Sequence, residues 1–185
     1  MSPNAQSCRD ALLVSSELLT YPDPALFERI PQLEVASGAL PRPVRERIGR
    51  FLGYLRSQDQ ITLQQDYVRT FDFQGGVPLY LTYPKFGDDR KRGQALADLK
   101  QRYRSAGFVP TSPELPDYLP LVLEFLGLGD RRATRGLARD FLPTVRQMAR
   151  ALQRTESPYG AILETAADAM AQLARASLPG RRSVP

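Results

Sequence analysis

Apolar residues recur at helical spacing along almost the whole of this 185-residue chain, and that pattern leaves room for little except a helical fold. Val44, Ile48, Phe51, Leu52 and Leu55 stand at i, i+4, i+7, i+8 and i+11, which is one apolar stripe on one helix. Ala11, Leu12, Val14, Leu18 and Leu19 make an earlier helix. It must stop near Tyr21-Pro22-Asp23-Pro24, because each proline disfavours helical geometry in the residue before it. A short helix over Ala25 to Ser37 follows, and Leu63, Tyr67, Thr70 and Phe71 mark another.

Farther on, Gly87-Asp88-Asp89 offers a carboxylate cap ahead of Arg92, Leu96, Leu99, Tyr103 and Ala106, with Gly107 as the stop. Pro116 is the expected start of a helix through Leu119, Val122, Phe125 and Leu126. Asp130 can cap a long basic helix reaching Arg154, with a kink or break expected at Pro143. Ser157 is the expected cap of the last helix, whose buried face is Ile162, Ala166, Ala169, Met170 and Leu173. Val77 to Tyr83 contains β-formers, but an isolated strand there would have no partner. The reading is an all-α bundle of about seven helices, one domain over residues 1–177 with a disordered tail over 178–185.

What the chain lacks constrains its chemistry. It has no histidine, the usual general base and the commonest metal ligand, and its single Cys8 can form neither an internal disulfide nor a zinc site. No phosphate loop, EF-hand spacing or nucleophile elbow runs through its carboxylates. The expectation is a protein that is not an enzyme and holds no metal or resident cofactor. No apolar run approaches the ~20 residues of a membrane span, and Met1 to Asp10 are polar, so a cytoplasmic location without stable membrane insertion is expected.

The net charge of +5 raises nucleic acid or an anionic membrane surface as partners. The basic residues are spread out, however. Arg131, Arg135 and Arg139, then Arg146, Arg150 and Arg154, recur every three or four residues within each set, with no series of aromatic residues interleaved for base stacking. A solvated helix face accounts for them more simply than a nucleic-acid stripe does; the alternative function is a basic helical binder of nucleic acid or an anionic membrane.

Three segments ask for more than a helical core: Asp66 to Asp72, Leu79 to Tyr83 running into Gly87 to Gly93, and Glu114 to Pro120. In them aromatic and charged residues cluster at helix breaks. Their tyrosines can be half-buried core or the lining of a groove for an amphipathic peptide with basic residues. The candidate peptide-binding residues are Tyr67, Phe71, Asp72, Leu79, Tyr80, Tyr83, Asp88, Arg92, Asp117, Tyr118 and Glu124. On this reading Asp88, Asp117 and Glu124 attract the basic end of the peptide, while the simpler account has Asp88 and Asp117 capping helices.

The same segments resemble the respiratory nitrate reductase molybdenum cofactor assembly chaperones, the delta-subunit or NarJ family of TorD-like redox enzyme maturation proteins. The residues carrying the resemblance are Tyr67-Val68-Arg69-Thr70-Phe71-Asp72, Leu79-Tyr80-Leu81-Thr82-Tyr83 with Gly87 to Gly93, and Glu114-Leu115-Pro116-Asp117-Tyr118-Leu119-Pro120 leading to Leu123-Glu124-Phe125. It covers roughly residues 10–175 and is most specific in the middle third. The resemblance implies a TorD-like helical domain that binds the N-terminal segment of the apo catalytic (alpha) subunit. It would hold that segment competent for molybdenum cofactor and iron–sulfur insertion before membrane docking. Molybdenum cofactor biosynthesis proteins are candidate further partners. Where the TorD branch has an acid, proline and histidine signature, this chain has Tyr118 and no histidine, which favours the nitrate reductase branch.

Overall fold

The computed structural model describes residues 3–72 and 76–175, and among these every regular element is helical. In chain order they are α1 (Pro3–Leu18), α2 (Pro24–Gly38), α3 (Arg42–Ser57), α4 (Gln60–Phe71), α5 (Tyr83–Phe86), α6 (Lys91–Ser105), α7 (Leu119–Leu128), α8 (Arg131–Arg154) and α9 (Tyr159–Arg175). The expected tail over 178–185 lies outside the described residues.

Short polar side chains start several of these helices. Asp23 accepts from Leu26 N at 2.8 Å, Asp59 from Thr62 N at 3.0 Å, and Asp130 from Arg132 N at 2.6 Å. Each satisfies one of the free N–H groups of a first turn. At the far end of α6, Gly107 sits at φ +71°, the left-handed geometry that lets the chain leave a helix.

The centre of the bundle is α9. Alanine-rich and buried along most of its length, it packs on α8, α1 and α3. Small side chains allow a close approach: a Cβ on Gly160 would lie 3.2 Å from the backbone N of Gln153 in α8. Helix α7 is apolar on nearly every side and correspondingly enclosed, with Leu119 to Leu123 and Phe125 to Gly127 all buried between α1 and α8. By contrast α6 is peripheral and buries only Leu99 and Tyr103. Residues from eight of the helices meet in one hydrophobic cluster.

Several local expectations are corrected. The described residues hold nine helices rather than about seven, partly because Tyr83–Phe86 closes one turn where only a bend was expected. Pro143 does not break α8: the helix runs through it with the proline exposed, so the acceptor it leaves unpaired can turn to water. Helix α7 begins at Leu119 and not at Pro116, because Tyr118 N closes a turn on Leu115 O at 2.9 Å and Tyr118 is itself extended, next to the Asp117 carbonyl that Leu81 N holds. Ser157 does not cap α9 with its side chain; its carbonyl accepts from Gly160 N at 2.9 Å, while its buried Oγ has no partner among the described residues. Asp88 does not cap α6 either, since Asp89 accepts from Lys91 N at 2.8 Å in its place.

A tyrosine rail over a buried aspartate as candidate functional site

Two irregular segments, one before α5 and one before α7, pass antiparallel to each other. Leu81 N donates to Asp117 O at 2.9 Å and Leu119 N to Leu79 O at 2.7 Å, forming a single bridge between Tyr80 and Tyr118. The β-forming stretch Val77 to Tyr83 thus has a partner after all, but only for one residue pair.

Beneath this bridge lies Asp117, with no exposed surface. Its Oδ2 accepts from Thr82 N at 3.1 Å and Thr82 Oγ1 at 2.5 Å, and Arg92 of α6 reaches it at 3.4 Å. Arg92 Nε also donates to Thr82 Oγ1 at 3.1 Å. One carboxylate therefore ties together both segments and the peripheral α6. Its Oδ1 has no partner among the described residues, an unmet acceptor that costs the fold about 1–3 kcal/mol. Tyr103 secures the same region by donating to Pro116 O at 2.7 Å.

Above the bridge the aromatic rings form a continuous rail. Tyr21 meets Tyr67 edge-on at 5.5 Å between centroids. The Tyr67 hydroxyl donates to Leu19 O at 3.0 Å, so the hydroxyl of Tyr118, 3.0 Å away, must donate to Tyr67. Tyr118 and Tyr80 lie 5.6 Å apart, and the Arg92 guanidinium sits 5.8 Å from the Tyr80 ring and 5.4 Å from the Tyr83 ring. Tyr80 in turn donates to Glu114 at 2.7 Å. Burial pushes the phenols of Tyr67, Tyr80 and Tyr118 up from the ordinary tyrosine range, and the Glu114 carboxylate adds to the effect at Tyr80. These three phenols are neutral at pH 7, and their rings offer apolar faces and polar edges.

The eleven residues singled out in the sequence occupy different depths. Tyr80, Tyr83, Arg92 and Tyr118 are half-buried and form the rail or its cation. Tyr67 is the buried link of the rail, and Phe71 and Leu79, also buried, support it from inside, Phe71 packing on Tyr67 at 4.8 Å and on Tyr159 at 4.9 Å. Asp72 and Asp88 are exposed. Half-buried Glu124 lies on α7 near Glu17 of α1; burial, and then the Glu17 charge, raise its carboxyl above the usual range. Asp117 holds the backbone and, being enclosed, presents no charge to the surface. Sequence reasoning passed over Tyr21, read only as a helix stop, and Thr82 and Glu114, whose pairing requires two segments 35 and 34 residues apart to meet.

Comparison with known proteins places this arrangement. Residues 37–165 match the nitrate reductase delta subunit family. The chain is 37% identical over 147 residues to a probable nitrate reductase molybdenum cofactor assembly chaperone, NarJ, of Bacillus subtilis, covering 79% of this chain and 80% of that protein. It is 36% identical over 157 residues to the NarJ assembly chaperone of Escherichia coli K12, covering 83% of this chain and 66% of the relative. The nitrate reductase-like protein NarX of Mycobacterium tuberculosis is 36% identical over 145 residues, a stretch that makes up 78% of this chain but 22% of NarX. With the family matched across most of its length, and the three segments that carried the resemblance meeting at one rail, the chain belongs to the nitrate reductase delta subunit family.

Proposed function

We propose that this protein is a cytoplasmic assembly chaperone, not an enzyme, for a respiratory nitrate reductase. It binds the N-terminal segment of the apo catalytic (alpha) subunit along the tyrosine rail. There it keeps the subunit competent for molybdenum cofactor and iron–sulfur insertion before membrane docking. The supporting observation is the unbroken run Tyr21, Tyr67, Tyr118, Tyr80, Arg92 and Tyr83, half-exposed over much of its length and lying across a junction of two irregular segments. Ring faces of this kind receive the apolar side of an amphipathic helix, while hydroxyl edges and the carboxylates of Glu114, Glu124 and Asp88 meet its polar and basic groups. Asp117 and Arg92 hold the two segments in register, and Phe71 and Leu79 fill the space below. Asp72 is the C-cap of α4.

Ordering a free segment on binding costs roughly 2–5 kcal/mol, so affinity is moderate and the client can be released. Calorimetric titration of a synthetic N-terminal peptide of the catalytic subunit is expected to give micromolar binding. Tyr80→Ala and Tyr83→Ala each weaken it by about tenfold or more, as truncation of an aromatic anchor does, without lowering the melting temperature by more than a few degrees. Absence of heat at micromolar peptide, with a folded protein, overturns the proposal.

A further inference from the structure

The outer face of α8 carries arginines in a line. At the helical pitch, Arg132, Arg139, Arg146 and Arg150 fall within an arc of about 40° and extend over about 27 Å; all four are exposed. Every ion pair among the described residues uses a base elsewhere, namely Arg29, Arg42, Arg47, Arg56, Arg69, Arg92 or Arg102. The single acid of α8, Asp140, is taken by Arg102 at 3.3 Å. On the neighbouring α9, Glu164 and Asp168 pair with Arg47 of α3 at 3.5 and 2.8 Å. Four guanidinium groups are thus aligned on one surface with no carboxylate to neutralise them.

We infer that this stripe is a docking surface for an anionic lipid bilayer, onto which the protein adsorbs by charge alone, without insertion. Three features select that partner. Thr134, Leu137, Ala138, Val145, Met148, Ala149 and Leu152 bury the opposite face of α8 along its whole length, so what the helix offers a partner is a single row of like charge, which a uniformly anionic planar surface complements. The one aromatic side chain of α8, Phe141, packs against the core, so none stands among the arginines to stack on single-stranded bases. The exposed large apolar residues, such as Val35, Ile61, Val68 and Val109, lie on other elements, so the stripe lacks the apolar centre of a protein–protein interface. A bilayer needs only charge, and each basic residue close to its surface strengthens adsorption by about fivefold.

The test is co-sedimentation of the full chain with vesicles of equal phosphatidylcholine and phosphatidylglycerol at about 50 mM salt, with pure phosphatidylcholine as control. Binding to the anionic vesicles alone is expected, with release at about 0.5 M salt. Arg139→Gln with Arg146→Gln lowers partitioning about 25-fold, whereas Gln at the exposed Arg42, Arg45, Arg50 and Arg104, a larger charge change, leaves most of it. If the stripe variant fails to fold, mapping arginine modification by a dicarbonyl reagent on the unaltered protein replaces it, with vesicles expected to protect Arg139 and Arg146 but not Arg42. Loss in the control variant equal to that in the stripe variant overturns the inference, as does equal binding to neutral vesicles. Duplex DNA that displaces the protein from vesicles at equal phosphate concentration assigns the stripe to nucleic acid.

Discussion

Asp117 shows how one residue can organise a surface it never reaches. Its Oδ2 gathers Thr82 and Arg92, and removing the carboxylate leaves their donors without a partner inside the fold. Asp117→Ala is therefore expected to cost about 3–5 kcal/mol, the range for breaking a buried ion pair, measurable as a shift in urea midpoint. Glu124 has the opposite sign. Its carboxyl is raised by burial and then by Glu17, so the native state resists the charged form and loses stability as pH rises through that raised value. Glu124→Gln removes the penalty; it should melt higher than the parent at pH 7 and no higher below about pH 4.5, the ordinary value for the group. A melting difference independent of pH would rule out this account. The sequence marked both acids as unusual, but only the fold separates them: Asp117 was legible as a polar residue beside Pro116, whereas its burial depends on the distant Thr82 and Arg92.

At the scale of elements, local chemistry accounts for most boundaries. Asp130 caps α8 as expected, and Asp23 and Asp59 do the same for α2 and α4, because a cap needs only its own first turn. At the start of α7 a distant partner outweighed the local preference. Pro116 was expected to open α7, yet the turn from Leu115 to Tyr118 and the pairing of Leu79 and Leu81 with Leu119 and Asp117 hold Tyr118 extended, so the helix opens three residues later. The turn between α8 and α9 holds an unforeseen feature, Glu156 at φ +54°, a left-handed conformation that a side chain disfavours. Glu156→Gly removes a left-handed cost of about 1–2 kcal/mol against about 0.5–1 kcal/mol of added chain entropy, and so should stabilise the protein modestly, seen as a higher melting temperature. A decrease would mean that the Glu156 side chain contributes more than its backbone costs.

For the whole molecule, the fold follows from the near-continuous helical spacing of apolar residues, whereas which helix lies at the centre does not. The alanines of α9 read as a modest stripe, but their small size lets α8 and α1 close around it. Gly160→Val tests this arrangement. A branched side chain placed about 3.2 Å from the Gln153 backbone must push α8 and α9 apart, at a cost of about 1–3 kcal/mol for overpacking, read from thermal unfolding. The candidate site was legible as three aromatic and acidic segments. Their joining into one rail was not, since it requires α1, α4, α6 and the two irregular segments to converge, and no spacing along a chain encodes that.

The rail also makes the protein its own optical reporter. There is no tryptophan in the chain, and five of its eight tyrosines, at positions 21, 67, 80, 83 and 118, belong to the rail. Ultraviolet-excited phenol emission therefore originates largely where a client would settle, and engagement by a tryptophan-free peptide should change its intensity without any attached dye.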